Sequence, residues 1–259
     1  MPKLFTGLDL GHLECRHRVI MDLPFRAGPN AAADLRRLSR ALVGSAVIHD
    51  LGPSIEGMGQ IDAARNTLAA QWLKSAHGHG RWSIARIRVD LSGPRAGMRW
   101  EHSAAWARNR GYDGVELDLS QAKAAVAADT LEELLGDVPD FLDRTQLGLR
   151  LSGLRSAALP VSEALALARD YEVAYVHLTG LPSWTTGWPS CRRATEIRTA
   201  FPGVIVAAGC NRVAAAVHLV EDRWADAVSF SLSDPRAPGL LSEFKRRFNI
   251  HSPPRNGAL

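Results

Sequence analysis

Lysine is nearly missing from this chain. Only four of its 31 basic residues are Lys (3, 74, 123 and 245), and the other 27 are Arg. No basic run stands out except Lys245-Arg-Arg247, so the net charge of +4 is no nucleic-acid footprint. Cysteine is also scarce. Cys15, Cys191 and Cys210 are an odd number without metal spacing, which excludes a disulfide framework and reads as free thiols in a reducing compartment. No apolar run approaches the roughly 20 residues of a membrane span. The opening Met-Pro-Lys-Leu-Phe-Thr has no apolar signal region, so a cytoplasmic protein is expected. There is no internal repeat and no linker.

What is present is ordinary globular material. Apolar residues make up 46% and charged residues 22%, enough for a sizeable core and too little charge for disorder. The 259 residues match one (β/α)8 barrel of about 250. Short apolar runs alternate with amphipathic stretches, the pattern of a parallel sheet with helical crossovers. Eight strands are predicted, at Val19–Leu23, Ala46–His49, Trp82–Val89, Gly114–Leu119, Leu147–Ser152, Val173–Leu178, Val204–Ala208 and Ala227–Ser231. The helices that follow them are predicted at Asn30–Val43, Ala63–His77, Met98–Arg110, Leu131–Asp143, Ser162–Tyr171, Arg192–Phe201, Ala214–Glu221 and Gly239–Phe248. Eight such units close a barrel, and a doubly wound sheet is the alternative. Leu8–Glu14 alternates around Gly11 and reads as a hairpin that plugs the barrel's base. One domain over residues 1–250 with a frayed tail, 251–259, is expected.

The segment Gly111-Tyr-Asp-Gly-Val-Glu-Leu-Asp118 reads as a helix end, a turn and a buried strand whose last residue points into a site. It resembles the AGxDGVEIHxAxGYL segment of the old yellow enzyme family of flavin-dependent ene-reductases. Leu4-Phe-Thr-Gly-Leu-Asp-Leu-Gly11, Arg18-Val-Ile-Met21, Gly148-Leu-Arg-Leu-Ser152, Phe201-Pro-Gly-Val-Ile-Val-Ala-Ala-Gly209 and Trp224-Ala-Asp-Ala-Val-Ser-Phe230 resemble the family's hairpin and its first, fifth, seventh and eighth strands. The resemblance implies a (β/α)8 barrel. It also implies that Arg150 is the flavin-contacting Arg and that Gly209 lets the backbone approach the flavin phosphate.

The departures fall on the reductase's own chemistry. The family's substrate-orienting His becomes Asp118, and the following His or Asn and Tyr become Gln121 and Lys123. The APMTR segment reads Asp22-Leu-Pro-Phe-Arg26, so Phe25 replaces a hydroxyl that meets the flavin carbonyl. The Gln of the third strand aligns with Arg86, and the phosphate-clamping Gly-Arg becomes Ser231-Leu232. The Arg-x-Asp-x-Tyr-Gly-Gly stretch is missing and the long lid is cut to Leu91–Gly97. If FMN binds, Gly209, Asn211 and Ser231 are the residues left to hold it; no cofactor is the leading expectation.

Barrel sites lie at the C-terminal ends of the strands, and alternation puts Arg86 with Arg88, and Arg150 with Ser152, on inward faces. Three guanidiniums can therefore converge. Their partners are either Glu116, Asp118 and Asp90 in a structural network, or these together with a substrate carboxylate or enolate. Asp22 and Asp50 end the first two strands and can pair with the same arginines. Asp118 is the candidate proton-transfer group, with a salt bridge to Arg86 or Arg150 as its other role. His49 and His177 read as core residues or, for His177, as part of the substrate site. Trp184 and Trp188, in the loop after the sixth strand, suit either a lid over an apolar ligand or a cap on the rim. Cys210 starts a helix, where a thiol pKa can fall, but no His is visibly paired with it. His77-Gly-His79 and Gly57-Met-Gly59 carry no usable metal or dinucleotide signal.

The resulting expectation is a repurposed, flavin-free barrel enzyme for isomerisation, cyclisation or elimination, set in secondary metabolism. Asp118, Arg86 and Arg150 would be catalytic, and Arg88, Asp22, Phe25, Gln121, His177, Trp184 and Trp188 would line the substrate. The partner is a small molecule carrying an acidic or carbonyl group, with no nucleic acid and no membrane, and a homodimer stays open. The alternatives are an FMN-dependent reductase with a rearranged flavin site and a non-catalytic ligand- or partner-binding barrel.

Overall fold

The protein is described here by a computed structural model covering residues 3–23, 45–53, 63–89, 96–120, 128–138, 142–152, 161–180, 191–210, 212–231, 239–240, 242–243 and 246. Strands β1 (Leu8–Leu10) and β2 (Leu13–Cys15) form the antiparallel hairpin. Eight parallel strands follow: β3 (Val19–Leu23), β4 (Ala46–Pro53), β5 (Trp82–Arg88), β6 (Gly114–Asp118), β7 (Leu147–Ser152), β8 (Tyr175–Thr179), β9 (Val204–Ala208) and β10 (Ala227–Ser231). They close in the order β10-β3-β4-β5-β6-β7-β8-β9, a complete barrel. Helices α1 (Ala63–His77), α2 (Ala96–Arg110), α3 (Ala128–Gly136), α4 (Val161–Asp170), α5 (Cys191–Ala200) and α6 (Val213–Glu221) lie between the strands. No described helix is long and apolar enough to cross a membrane.

The architecture follows the sequence pattern closely, and the differences are local. The helix expected at Leu131–Asp143 runs from Ala128 to Gly136. Pro139 cannot extend it, having no N–H to donate. Asp143 instead caps a short 3-10 turn, Arg144–Gln146, by accepting from Thr145 N, and that turn feeds β7 directly. Strand β4 extends to Pro53, past its expected end at His49, with a register irregularity between Asp50 and Pro53. The expected helix at Asn30–Val43 lies outside the described residues.

Two apolar regions hold the barrel. Outward-facing strand residues such as Val19, Ala85, Ile87, Val115, Leu117, Leu149, Val176, Leu178 and Val228 pack with helix residues such as Trp100, Leu131, Leu165 and Leu219. Inside, Ile20, Ala46, Ile48, Ile84, Tyr175, Val206 and Ala227 join Leu10, Leu13 and Cys15 of the hairpin. The hairpin is thus the lower stopper of the lumen. Its turn depends on Gly11, at φ +64°, where an added Cβ would lie 1.9 Å from the Thr145 carbonyl oxygen.

Candidate functional site

Above that apolar layer the inward positions change character. On β5, Arg86 sits two residues beyond Ile84. On β3, Asp22 lies two beyond Ile20, and on β6, Glu116 lies two beyond Gly114. Alternation keeps each pair on the inner face. The layer is buried: Asp22, Arg86, Glu116, Asp118, His177 and Ser229 all have 5% or less of their surface exposed. A buried charge must be paired, and this cluster is densely paired.

Arg86 is held from two sides. Its Nη1 donates to Asp22 Oδ1 at 2.6 Å and its Nε to Glu116 Oε1 at 2.6 Å. Asp22 uses its second oxygen to accept from Arg150 Nη1 at 2.9 Å. Asp22 therefore bridges two guanidiniums from β5 and β7. Burial pushes its carboxyl pKa up, but Arg86 and Arg150 outweigh that and leave it below the ordinary range. Glu116 behaves the same way, with burial opposed by Arg86 and His177, so it is ionised. Arg88, the third expected guanidinium, turns to the rim, where it donates to Asp50 at 2.6 Å and is 43% exposed. Two guanidiniums converge, not three.

Glu116 is the hub of the other half. Its Oε2 takes the Tyr175 hydroxyl at 3.0 Å and His177 Nδ1 at 2.9 Å. An ionised carboxylate can only accept, so His177 carries its proton on Nδ1. Burial lowers the imidazole pKa against the pull of Glu116, so the ring is neutral at neutral pH. Its Nε2 is then an acceptor, and Ser229 Oγ lies 2.7 Å from it. His177, expected to line the substrate, is fully buried and reaches the mouth only through Ser229.

Asp118 ends β6 at the mouth. Its Oδ1 accepts from Ser120 N at 2.9 Å and Ser120 Oγ at 2.5 Å, and its Oδ2 lies 3.7 Å from Arg150 Nε. On the two converging guanidiniums, Arg86 Nη2 and Arg150 Nε have no hydrogen-bond partner among the described residues. A cavity of about 220 Å³ opens beside Arg150, lined by Asp22, Arg150, Thr179, Gly209, Ser229 and Ser231 among others. Gly209 has φ +86°, and no described atom lies within 4 Å of where a Cβ would be.

Phe25, Gln121, Trp184, Trp188 and Asn211, together with Asp90, lie outside the described residues. Cys210 lines the cavity, but burial pushes its thiol up to about 12, opposite to the fall expected for a helix start. His49 faces outward, between Trp72 and the Tyr112 hydroxyl at 3.3 Å, and burial lowers its pKa to about 3. Ser229 and Tyr175 were not singled out by sequence. A small hydroxyl near a strand end carries no signal of its own. The only cue was its inward register, two residues before Ser231.

Solved structures share this architecture over nearly the whole chain. A variant of NCR from Zymomonas mobilis superposes with a TM-score of 0.71 at 20% identity, over 97% of this chain and 94% of that one. Morphinone reductase gives 0.71 at 18%, over 97% and 91%. The old yellow enzyme homologue from Zymomonas mobilis gives 0.69 at 16%, over 97% and 94%. The fold is therefore an old yellow enzyme-like (β/α)8 barrel with an N-terminal hairpin. No protein-family model and no curated protein matches the sequence.

Proposed function

We propose that this barrel works without flavin and catalyses a proton-transfer reaction, an isomerisation, cyclisation or elimination, on a small substrate bearing a carbonyl or acidic group. The observation that carries this reading is that Arg86 Nη2 and Arg150 Nε have no hydrogen-bond partner among the described residues, with Arg150 Nε 3.7 Å from the Asp118 carboxyl. Buried donors are rarely left unpaired. A carbonyl oxygen that gains charge as a neighbouring C–H is broken is the acceptor such donors suit. Preorganised donors aimed at developing charge are a large source of rate enhancement. Asp118 is the group within reach to take or return the proton.

The residues do not fit a flavin well, and no step is routed through one. Arg150, the flavin contact that the resemblance implies, is held by Asp22. Arg86, at the position of a neutral Gln in the family, is held by Asp22 and Glu116. Arg86 and Arg150 face Asp22, Glu116 and Asp118, so two positive groups meet three acidic ones, a formal charge of −1. Gly209 favours the second reading, an FMN-dependent reductase, because its open backbone borders the cavity where a phosphate could approach. A reductase role matches the name of morphinone reductase among the structural neighbours.

Two measurements separate these readings. The purified protein should show no flavin absorbance in the visible and bind added FMN weakly. In D2O the wild type should exchange the α-hydrogens of an enolisable keto acid, followed by NMR, and Asp118→Asn should lower that rate about 100- to 10,000-fold. A yellow protein with stoichiometric FMN would promote the reductase.

A further inference from the structure

The Ser229, His177 and Glu116 side chains form an arrangement that the proton-transfer reading does not use. We propose that Ser229 is an activated nucleophile in a Ser229–His177–Glu116 relay, giving the barrel mouth acyl-transfer activity toward esters or thioesters with a small acyl group. The inference stands apart from the proposed function and does not depend on it.

The triad logic is one of geometry and roles rather than of sequence order. Here the three groups come from β10, β8 and β6, alternate strands of one barrel. The heavy-atom distances are 2.7 Å from Ser229 Oγ to His177 Nε2 and 2.9 Å from His177 Nδ1 to Glu116 Oε2. Both lie within the reach required of a nucleophile–base pair and a base–orienter pair. Glu116 is fixed in turn by Arg86 Nε at 2.6 Å and the Tyr175 hydroxyl at 3.0 Å, so it cannot swing away from the ring. The ionised carboxylate holds the proton on Nδ1, which leaves Nε2 to receive the Ser229 hydrogen. A buried serine that merely satisfies its hydrogen bond needs only one partner. This one has an oriented base behind it and an open cavity in front, since Ser229 lines the 220 Å³ space.

The same space supplies the other requirements. Arg150 lines it and is partly exposed, so its guanidinium can face an oxyanion. The cavity is smaller than the roughly 300–1,000 Å³ typical of drug-sized ligands, which points to a small acyl group. In the reaction, Ser229 Oγ bonds to the acyl carbon while its proton passes to His177 Nε2. The C–O or C–S bond to the leaving group then breaks, and that group departs with the proton from His177. Water repeats the cycle, giving its proton to His177 and its oxygen to the acyl carbon. The acid leaves as the proton returns to Ser229.

The test needs no knowledge of the natural substrate. The full-length protein is treated with diisopropyl fluorophosphate and followed by intact-mass spectrometry. In this case the Oγ–P bond forms, P–F breaks, fluoride leaves, and the hydroxyl proton goes to His177. One adduct is expected, mapped to Ser229 and absent in Ser229→Ala. His177→Gln should slow labelling about 100-fold or more. The wild-type rate offers a readout that does not require the variant to fold. With His177 as the base it stays flat from neutral to mildly alkaline pH. An unassisted hydroxyl would instead accelerate tenfold per pH unit with hydroxide. The absence of both an adduct at Ser229 from this reagent and a Ser229-dependent release of p-nitrophenol from p-nitrophenyl acetate, whose acetyl group is smaller, overturns the proposal, as does a hydroxide-dependent rate.

Discussion

Ile84 and Arg86 are two residues apart on β5 and point into the same lumen, yet they are held by different forces. Ile84 belongs to the lower layer, packed with Ile20, Ile48, Tyr175 and the hairpin's Leu10 and Leu13. That layer is held by apolar burial, which is non-directional and tolerates repacking. Arg86 belongs to the upper layer, where each contact is a directed ion pair or hydrogen bond and each lost partner leaves a buried charge. The lower layer is therefore a plug, and the upper one is a set of fixed dipoles and charges on which chemistry can be built.

The largest expected effect comes from breaking the upper layer at its centre. Arg86→Met leaves Asp22 and Glu116 buried without their shared cation, and should cost about 3–5 kcal/mol in urea unfolding. Removing the partners as well, in Arg86→Met with Asp22→Asn and Glu116→Gln, should recover a large part of that loss. If the triple variant is no better than the single, charge pairing is not what holds the layer.

Where the layers meet, Gly148 gives way to the Tyr175 ring. A Cβ there would lie 2.2 Å from Tyr175 Cζ. Gly148→Ala should cost about 1–3 kcal/mol by overpacking and should also displace the hydroxyl that donates to Glu116. Thermal melting gives the first effect, and a shift in the labelling rate of Ser229 gives the second.

A pH scan separates the lumen from the outer shell. His49 is buried in the outer shell and titrates near 3, against an ordinary value of 6.5. Below pH 6.5 the unfolded chain takes up a proton that folded His49 refuses, so stability falls as pH drops through that window, by about 1.4 kcal/mol per unit. Asp22 and Glu116, held below their ordinary values, add their own loss only at more acid pH, below about 4. His177 contributes in the same direction as His49. Denaturation midpoints of His49→Phe should therefore be flatter than wild type between pH 6.5 and about 3, with the fall that remains below 4 left to the carboxylates. A parallel pair of curves would remove His49 from this account.

The smallest effect belongs to the lower layer. Ile84→Val should cost only about 0.5–1.5 kcal/mol, with no change in Ser229 labelling. A larger loss would mean that the lower layer is as exacting as the upper.

Much of this was legible in the sequence because it rests on local periodicity. The resemblance placed Arg86 and Arg150 in the lumen, the i, i+2 rule set their neighbours on the same face, and the apolar runs gave the eight strands. Glu116 could be named as a partner because it lies on the strand beside that of Arg86, and Asp22 because it stands at the end of the first barrel strand. What periodicity cannot show is which of several carboxylates a guanidinium chooses. Arg88 chose Asp50, because the strand end at Pro53 brings β4 beside it. The relay was missed for a related reason. His177 reads as a lone histidine until Glu116, 61 residues earlier, and Ser229, 52 later, are brought against it.

The bridging of Arg86 and Arg150 by Asp22 also sets how deep a guest can go. Ties from β3 across the lumen to β5 and β7 make a floor under the barrel mouth. A molecule entering from the strand ends meets that floor before it can touch Ile20 or Ile84. Passing it would mean separating two guanidiniums from one carboxylate, a far steeper cost than pushing aside aliphatic side chains. Selection at this mouth then works by depth. A guest is accepted for what its leading few atoms can offer to charged groups, and whatever apolar bulk it carries must remain above.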